Sequence, residues 1–303
     1  MDAEKELLAS LRTEQVDPKL SNLDSLSPYE LLKAINTADS EVAPAVLAEI
    51  GSIEQALLKI VERLKKGGRL IYLGAGTSGR LGVLDASECG PTFSVGNDLV
   101  IGLIAGGDVA LRNPVEGAED DSQGAMKQLE AINLSSKDAV VGIAASGRTP
   151  YVYGALQYAR KLGALTISLS CNKDSRIGEV SEIKIEIDTG PEVLSGSTRM
   201  KSGTAQKLVL NMLSTGSMVL LGKTFGNLMV DLQVTNVKLQ DRAHRIISSA
   251  TGCSIDRAKE LLAESGNFVK VAILMELLGL SRGDAEVALA KADGQIRRAL
   301  IKG

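Results

Sequence analysis

RLIYLGAGTSGR, residues 69–80, is a short apolar β-rich run followed at once by a glycine- and hydroxyl-bearing turn that opens a helical pattern. Four further β-rich runs follow it: Leu99–Ala105 (LVIGLIA), Asp138–Ala144 (DAVVGIA), Ala164–Ser170 (ALTISLS) and Glu182–Asp188 (EIKIEID). Counting Arg69–Gly74 (RLIYLG), the first four are nearly continuous in apolar residues, as expected of strands covered on both faces. Helix-like pieces separate them, for example Thr149–Lys161 followed by Gly163. Five strands alternating with helices predict a parallel, doubly wound αβα sandwich over residues 67–251.

Outward from that core the pattern turns helical. Residues 1–66 read as a helical segment, with Ser27-Pro28-Tyr29-Glu30 starting one helix and Ile53, Leu57, Ile60, Val61 and Leu64 spaced along one face of another. After the fifth strand the β signal stops: Gly203–Leu221, Leu228–Ser248, Ile255–Glu264, Phe268–Leu278 and Gly283–Ala290 all read as helix. Residues 252–303 are therefore expected to form a small helical subdomain, with a ubiquitin-associated-like arrangement as a fold-level guess.

Composition narrows the chemistry. The 303 residues carry a formal charge of −3, and no Lys/Arg run supplies a nucleic-acid surface. No apolar stretch approaches the ~20 residues of a spanning helix. The acidic start MDAEKELLAS lacks the features of a signal peptide, so the expected setting is cytoplasmic. Cys89, Cys171 and Cys253 are too far apart for a CxxC pair and odd in number, which suits reduced structural thiols. With the single histidine, His244, in the charged run KLQDRAHRI, neither a zinc site nor a Ser-His-Asp triad is expected. Chemistry here must use carboxylates, hydroxyls, lysines or backbone groups, with no cofactor.

Three turns carry a ligand signal. Gly74-Ala-Gly76-Thr-Ser-Gly79 satisfies the dinucleotide pattern, yet the first acidic residue beyond the second strand is Asp108, too late for a ribose partner. Gly222-Lys223-Thr224 has Ser217 where a phosphate-loop glycine belongs, so that match fails too. The turn Ala144–Pro150 places Ser146, Gly147 and Thr149 beside a helix start, where free N–H groups and the helix dipole favour phosphate. A third run, Gly190–Lys207, adds Ser195, Ser197, Thr198, Arg199, Lys201 and Lys207. One such turn means only helix capping. Three at the carboxyl edge of one sheet predict a site for a small phosphomonoester, with Thr77, Ser78, Ser146, Gly147, Thr149, Ser197, Thr198 and Lys201 as its candidate ligands.

The turns GAGTSGR and ASGRTP resemble the sugar-isomerase (SIS) fold, and GPEVLSGSTRMKSGTAQK is similar to the signature shared by N-acetylmuramic acid 6-phosphate etherases and the glucokinase regulatory protein. GGRLIYLGAGTSGRLGVLDASECGPTFS, with NPVEGAEDD downstream, resembles the etherase family closely, from about Thr13 to beyond Arg242. The length suits the etherases rather than the longer, duplicated regulator. The resemblance implies release of D-lactate from C3 of N-acetylmuramic acid 6-phosphate by C2 deprotonation, elimination and water addition, a carbon–oxygen lyase reaction. It also implies that Glu88 and Glu119 are the catalytic pair, with Glu116, Asp120 and Asp121 supporting or on the surface.

Within that implication Glu119 is expected to be the base, at C2 and later for the water, and Glu88 the acid. An acid working near neutrality needs a raised pKa, and the run Cys89–Phe93 offers apolar surroundings. If the first turn opens a continuous helix at Ser78, Glu88 lies about ten residues along it, roughly 15 Å away and beyond the span of a hexose. Either the helix breaks early or Glu88 serves a neighbouring subunit, so a homodimer with interfacial sites is expected. Two other readings stay open: a regulatory sugar-phosphate binder without turnover, and an SIS sugar-phosphate isomerase. The transcription-factor relatives of the fold are disfavoured by the absence of a basic head.

Overall fold

The computed structural model describes residues 11–232, 234 and 236–302. Three helices come first: α1 (Pro28–Asp39), α2 (Val42–Leu47) and α3 (Ile50–Lys65). Ser27 starts α1 with a reciprocal capping box, its hydroxyl accepting from Glu30 N–H while the Glu30 carboxylate accepts from Ser27 N–H. The alternation expected from the sequence follows as β1 (Leu70–Gly74), α4 (Gly76–Phe93), β2 (Val100–Ile104), α5 (Ser122–Ala131), β3 (Ala139–Ile143), α6 (Pro150–Lys161), β4 (Leu165–Ser170), α7 (Arg176–Glu179) and β5 (Ile183–Glu186).

All five strands pair in parallel in the order β2-β1-β3-β4-β5. β1, β3 and β4 are buried along their whole length, as continuous apolar runs require. Successive side chains alternate across the sheet. Ile71, Leu73, Val140 and Ala144 therefore pack with Leu129 of α5 and Val152, Ala155 and Leu156 of α6. Tyr72 points the other way, against Gly82 of α4 and toward the Leu210 carbonyl.

The chain next forms α8 (Lys201–Leu220), β6 (Thr224–Phe225), β7 (Leu228–Met229), α9 (Val237–Thr251), α10 (Ile255–Glu264), α11 (Val269–Leu278), α12 (Arg282–Lys291) and α13 (Ile296–Lys302). Here one expectation is corrected. The β signal does not stop after the fifth strand, because β6 and β7 form an antiparallel hairpin around Gly226-Asn227. A two-residue Gly-Asn loop is itself a hairpin signal, and Gly226 takes the positive φ of +57° that such a loop demands. The helix expected over Leu228–Ser248 starts only at Val237, where Asn236 accepts from Leu239 N–H as its cap.

The structure forms two compact units, one from the chain through Ser87 together with Asp98–Ser214, the other from Glu88–Asn97 together with the chain from Thr215 on. The helical core of the second unit begins well before residue 252, since Val230, Leu232, Ala243, Ile246 and Ile247 join Leu261, Leu262 and Ile273 in it. An amphipathic α9 has an apolar face to bury, and this core receives it. Among the described residues no helix is long and apolar enough to cross a membrane. Cys171 is fully buried, and burial pushes its thiol up to about 12, away from reactivity.

Candidate active site

The strand order locates the candidate site. The chain leaves β1 toward β2 on one side and reaches β3 on the other, so the turns after β1 and β3 diverge at the carboxyl edge, the switch point where doubly wound sheets bind ligands. The first turn is shaped by close packing. A Cβ on Gly79 would lie 2.5 Å from the Gly74 carbonyl oxygen, and one on Gly74 would lie 2.8 Å from Gly79 N. These glycines let α4 approach β1 closely. Ser78 is buried and donates to Gln206 Oε1 at 2.9 Å, while the half-buried Thr77 hydroxyl makes no hydrogen bond among the described residues.

In the second turn the Ser146 hydroxyl accepts from Arg148 N–H at 3.3 Å. Gly147 has φ +71°, and a Cβ there would lie 2.4 Å from Ser175 Cβ, so no other residue fits. Thr149 is the N-cap of α6 but makes no side-chain cap bond, and Pro150 at the first helical position has no N–H to satisfy. The N–H groups of Tyr151 and Val152 thus lack a side-chain partner at an open helix start.

The third turn is built otherwise. Glu192 is 1% exposed, and its carboxylate accepts from Lys201 N–H and Ser202 N–H at 2.9 Å each, so the start of α8 is already occupied by a negative group. Lys201 has a buried ammonium that donates to the Pro191 carbonyl at 3.3 Å and pairs with the exposed Glu41 at 3.5 Å, which links the turn to the start of α2. Ser197 and Thr198 are half-buried, and their hydroxyls make no hydrogen bond among the described residues.

Glu119 lies exposed on a 3-10 turn, Ala118–Asp120, after β2. Asp121 caps α5 by accepting from Gln123 N–H and Gly124 N–H. The acidic turn packs against α6. Together they wall a cleft of about 400 Å³ lined by Val115, Glu116, Ala118, Gln128 and Tyr151. Tyr151 donates to Gln128 Oε1 at 2.7 Å and Gln128 donates to the Ile104 carbonyl at 3.2 Å, tying this wall to the end of β2. The acidic segment and the helix opened by the second turn therefore share one wall.

Glu88 presents a different picture. α4 runs unbroken from Gly76 to Phe93, so Glu88 is about ten residues from Ser78 along it, roughly 15 Å. The expectation that its sequence neighbours enclose it needs correction. Cys89 and Phe93 are buried while Glu88 is exposed, because adjacent positions on a helix face different ways. Asp85, one turn earlier, is buried and accepts from Asn211 Nδ2 at 2.6 Å and Ser214 Oγ at 3.1 Å, a structural tie between α4 and α8. Sequence reading missed Gln206 and Glu192. Gln206 had a signal, being polar at helical spacing from the apolar Val209, Leu210 and Leu213.

Comparison with known proteins places three family models along the chain. Residues 52–160 match the glucokinase regulatory protein N-terminal SIS domain, residues 112–216 the SIS domain, and residues 226–270 the C-terminal lid domain of glucokinase regulatory protein. An N-acetylmuramic acid 6-phosphate etherase from Actinobacillus pleuropneumoniae serotype 7 is 52% identical over 302 residues, covering 99% of each chain. N-acetylmuramic acid 6-phosphate etherase 2 of Vibrio cholerae is 55% identical over 293 residues, covering 97% of this chain and 95% of the relative. Among solved structures, a phosphoheptose isomerase from Francisella tularensis is similar at 18% identity and a TM-score of 0.49, covering 63% of this chain and 98% of that one.

Proposed function

The chain belongs to the N-acetylmuramic acid 6-phosphate etherase family, and from that premise we propose that it cleaves N-acetylmuramic acid 6-phosphate to N-acetylglucosamine 6-phosphate and D-lactate. The observation that carries this reading is the switch in strand order between β1 and β3, which puts two hydroxyl-bearing turns at one edge of the sheet, with an acidic segment packed on α6. Thr77, Ser78, Ser146, Gly147 and Thr149 hold the phosphate there, with the open start of α6 supplying N–H donors and a favourable dipole. Ser197 and Thr198 complete the hydroxyl lining. Because α8 starts on the Glu192 carboxylate, the phosphate sits at α6.

An ether oxygen leaves poorly, so simple hydrolysis near neutrality is slow. In the ring-opened sugar the C1 aldehyde acidifies the C2 hydrogen. Glu119 removes that proton, and Glu88 protonates the lactate oxygen as the C3–O bond breaks, leaving an unsaturated aldehyde. Water then adds at C3. At this stage Glu119 holds the C2 proton and Glu88 is the free carboxylate, so proton balance moves water activation to Glu88 from Glu119, where it was first expected. Glu119 returns a proton to C2, and both groups end as they began. The reaction class is that of a carbon–oxygen lyase, with no cofactor and a cytoplasmic setting.

A homodimer belongs to this reading. Glu88 sits about 15 Å along α4 from Ser78 and is exposed, whereas an acid active near neutrality needs enclosure. A second subunit supplies that enclosure, with Glu88 acting at the partner's phosphate site. The test is direct: with N-acetylmuramic acid 6-phosphate, D-lactate and N-acetylglucosamine 6-phosphate appear in equal amounts. Glu88→Ala and Glu119→Ala each slow release by about 10²–10⁴-fold. Glu88→Ala still exchanges the C2 proton with solvent, whereas Glu119→Ala does not; the opposite pattern reverses the roles. The regulatory-protein domains matched by the chain favour a second reading, binding without turnover, which the absence of lactate would support.

A further inference from the structure

We infer that Gln206 is a positioning residue for Ser78: the orientation of its side-chain amide decides whether the Ser78 hydroxyl can donate a proton to the substrate phosphate. The inference rests on the reading of Ser78 as a phosphate ligand. Gln206 is 1% exposed on α8 and Ser78 is 7% exposed at the start of α4. One turn earlier on α8, Gly203 faces Thr77; a Cβ there would lie in ordinary contact with Thr77 Cγ2 at 3.5 Å.

A serine hydroxyl has a single proton. Here that proton goes to Gln206 Oε1 at 2.9 Å, and Gln206 Nε2 is buried with no hydrogen-bond partner. A phosphate monoester near neutrality offers acceptor oxygens, so in this arrangement Ser78 would turn lone pairs toward lone pairs. Rotating the amide by half a turn brings Nε2 to the place of Oε1. Nε2–H then donates to Ser78 Oγ, and the hydroxyl proton is released toward the phosphate as a charge-assisted bond. The first orientation satisfies the hydroxyl proton. A bound anion favours the second, which gives the orphaned amide N–H a partner. Gln206 thus couples the α8 scaffold to phosphate recognition without touching the substrate.

A merely structural glutamine would tie α8 to α4 and do nothing more, and a double-mutant cycle separates the two roles. Ser78→Ala is expected to raise KM for N-acetylmuramic acid 6-phosphate by about tenfold or more, with a smaller change in kcat. Gln206→Met, which keeps the volume but neither takes the Ser78 proton strongly nor donates to its oxygen, leaves that proton free and should raise KM by less than Ser78→Ala does, and the double variant should be no worse than Ser78→Ala alone. In Gln206→Glu the carboxylate can only accept, so the Ser78 proton stays turned inward. Its KM should fall toward the parent value as pH is lowered and the carboxyl protonates, a trend absent from the parent. Multiplicative effects in the cycle, or a Gln206→Glu pH profile parallel to the parent's, would overturn the proposal. If Gln206→Met unfolds early on heating, the Gln206→Glu profile alone decides. An unchanged KM in Ser78→Ala would instead remove Ser78 from phosphate binding and, with it, the premise.

Discussion

At the amino edge of the sheet Asp138 is buried and accepts five hydrogen bonds, from Arg69 N, Nε and Nη2 and from Ser135 N and Oγ. Burial by itself pushes this carboxyl up. The bonds from Arg69 and the Ser135 backbone, with the guanidinium charge, outweigh it and hold the group below the ordinary carboxylate value. A depressed folded pKa contributes stability above the unfolded value of ~4 and loses it as pH falls through the folded one. Asp138→Ala should therefore cost about 3–5 kcal/mol in denaturant unfolding at neutral pH, because the Arg69 charge is left without its partner. The gap between variant and parent should shrink below about pH 4. A gap that stays constant with pH would mean the carboxylate charge contributes nothing. This residue lies within the run DAVVGIA, where its strand was legible; its partner, 69 residues away in sequence, was not.

At the scale of elements, the turn after β3 is the one whose geometry admits a single residue. Alanine at 147 would need a positive φ and would drive its Cβ into Ser175, so Gly147→Ala should cost about 2–4 kcal/mol. Thermal unfolding measures that cost, and KM should rise with it because the turn holds the start of α6. A Gly147→Ala protein as stable as the parent would show that the turn relaxes freely. The β-rich runs were legible because both faces of each strand are covered, which leaves an unbroken apolar signature. The β6–β7 hairpin announced itself only through its Gly226-Asn227 loop, because two-residue strands carry no periodicity to set against the helical pattern around them.

For the molecule as a whole, the exposed face of α1 supports association. None of its residues is buried, and Tyr29 and Leu32, neighbours on one face, are 75% and 67% exposed. Sedimentation should find a dimer. If Glu88 serves the partner's site, mixing Glu88→Ala with Glu119→Ala protein restores activity. In a two-fold dimer with free exchange, half the dimers are mixed and one site in each is intact, so about a quarter of parental activity returns. No recovery after demonstrated exchange would place both acids on one chain.

From the order of residues alone came the five strands and the hydroxyl-bearing turns, because periodicity and glycine spacing are properties of neighbours in the chain, while the two glutamates came only as what the family resemblance implies. Only tertiary structure paired β1 with both β2 and β3, seated Glu192 at the start of α8, set Lys201 beside Glu41 and brought Gln206 to Ser78. Most of these join groups far apart in sequence. Burial decides such pairings, since a polar group removed from water must find its partner wherever the packed elements have put one.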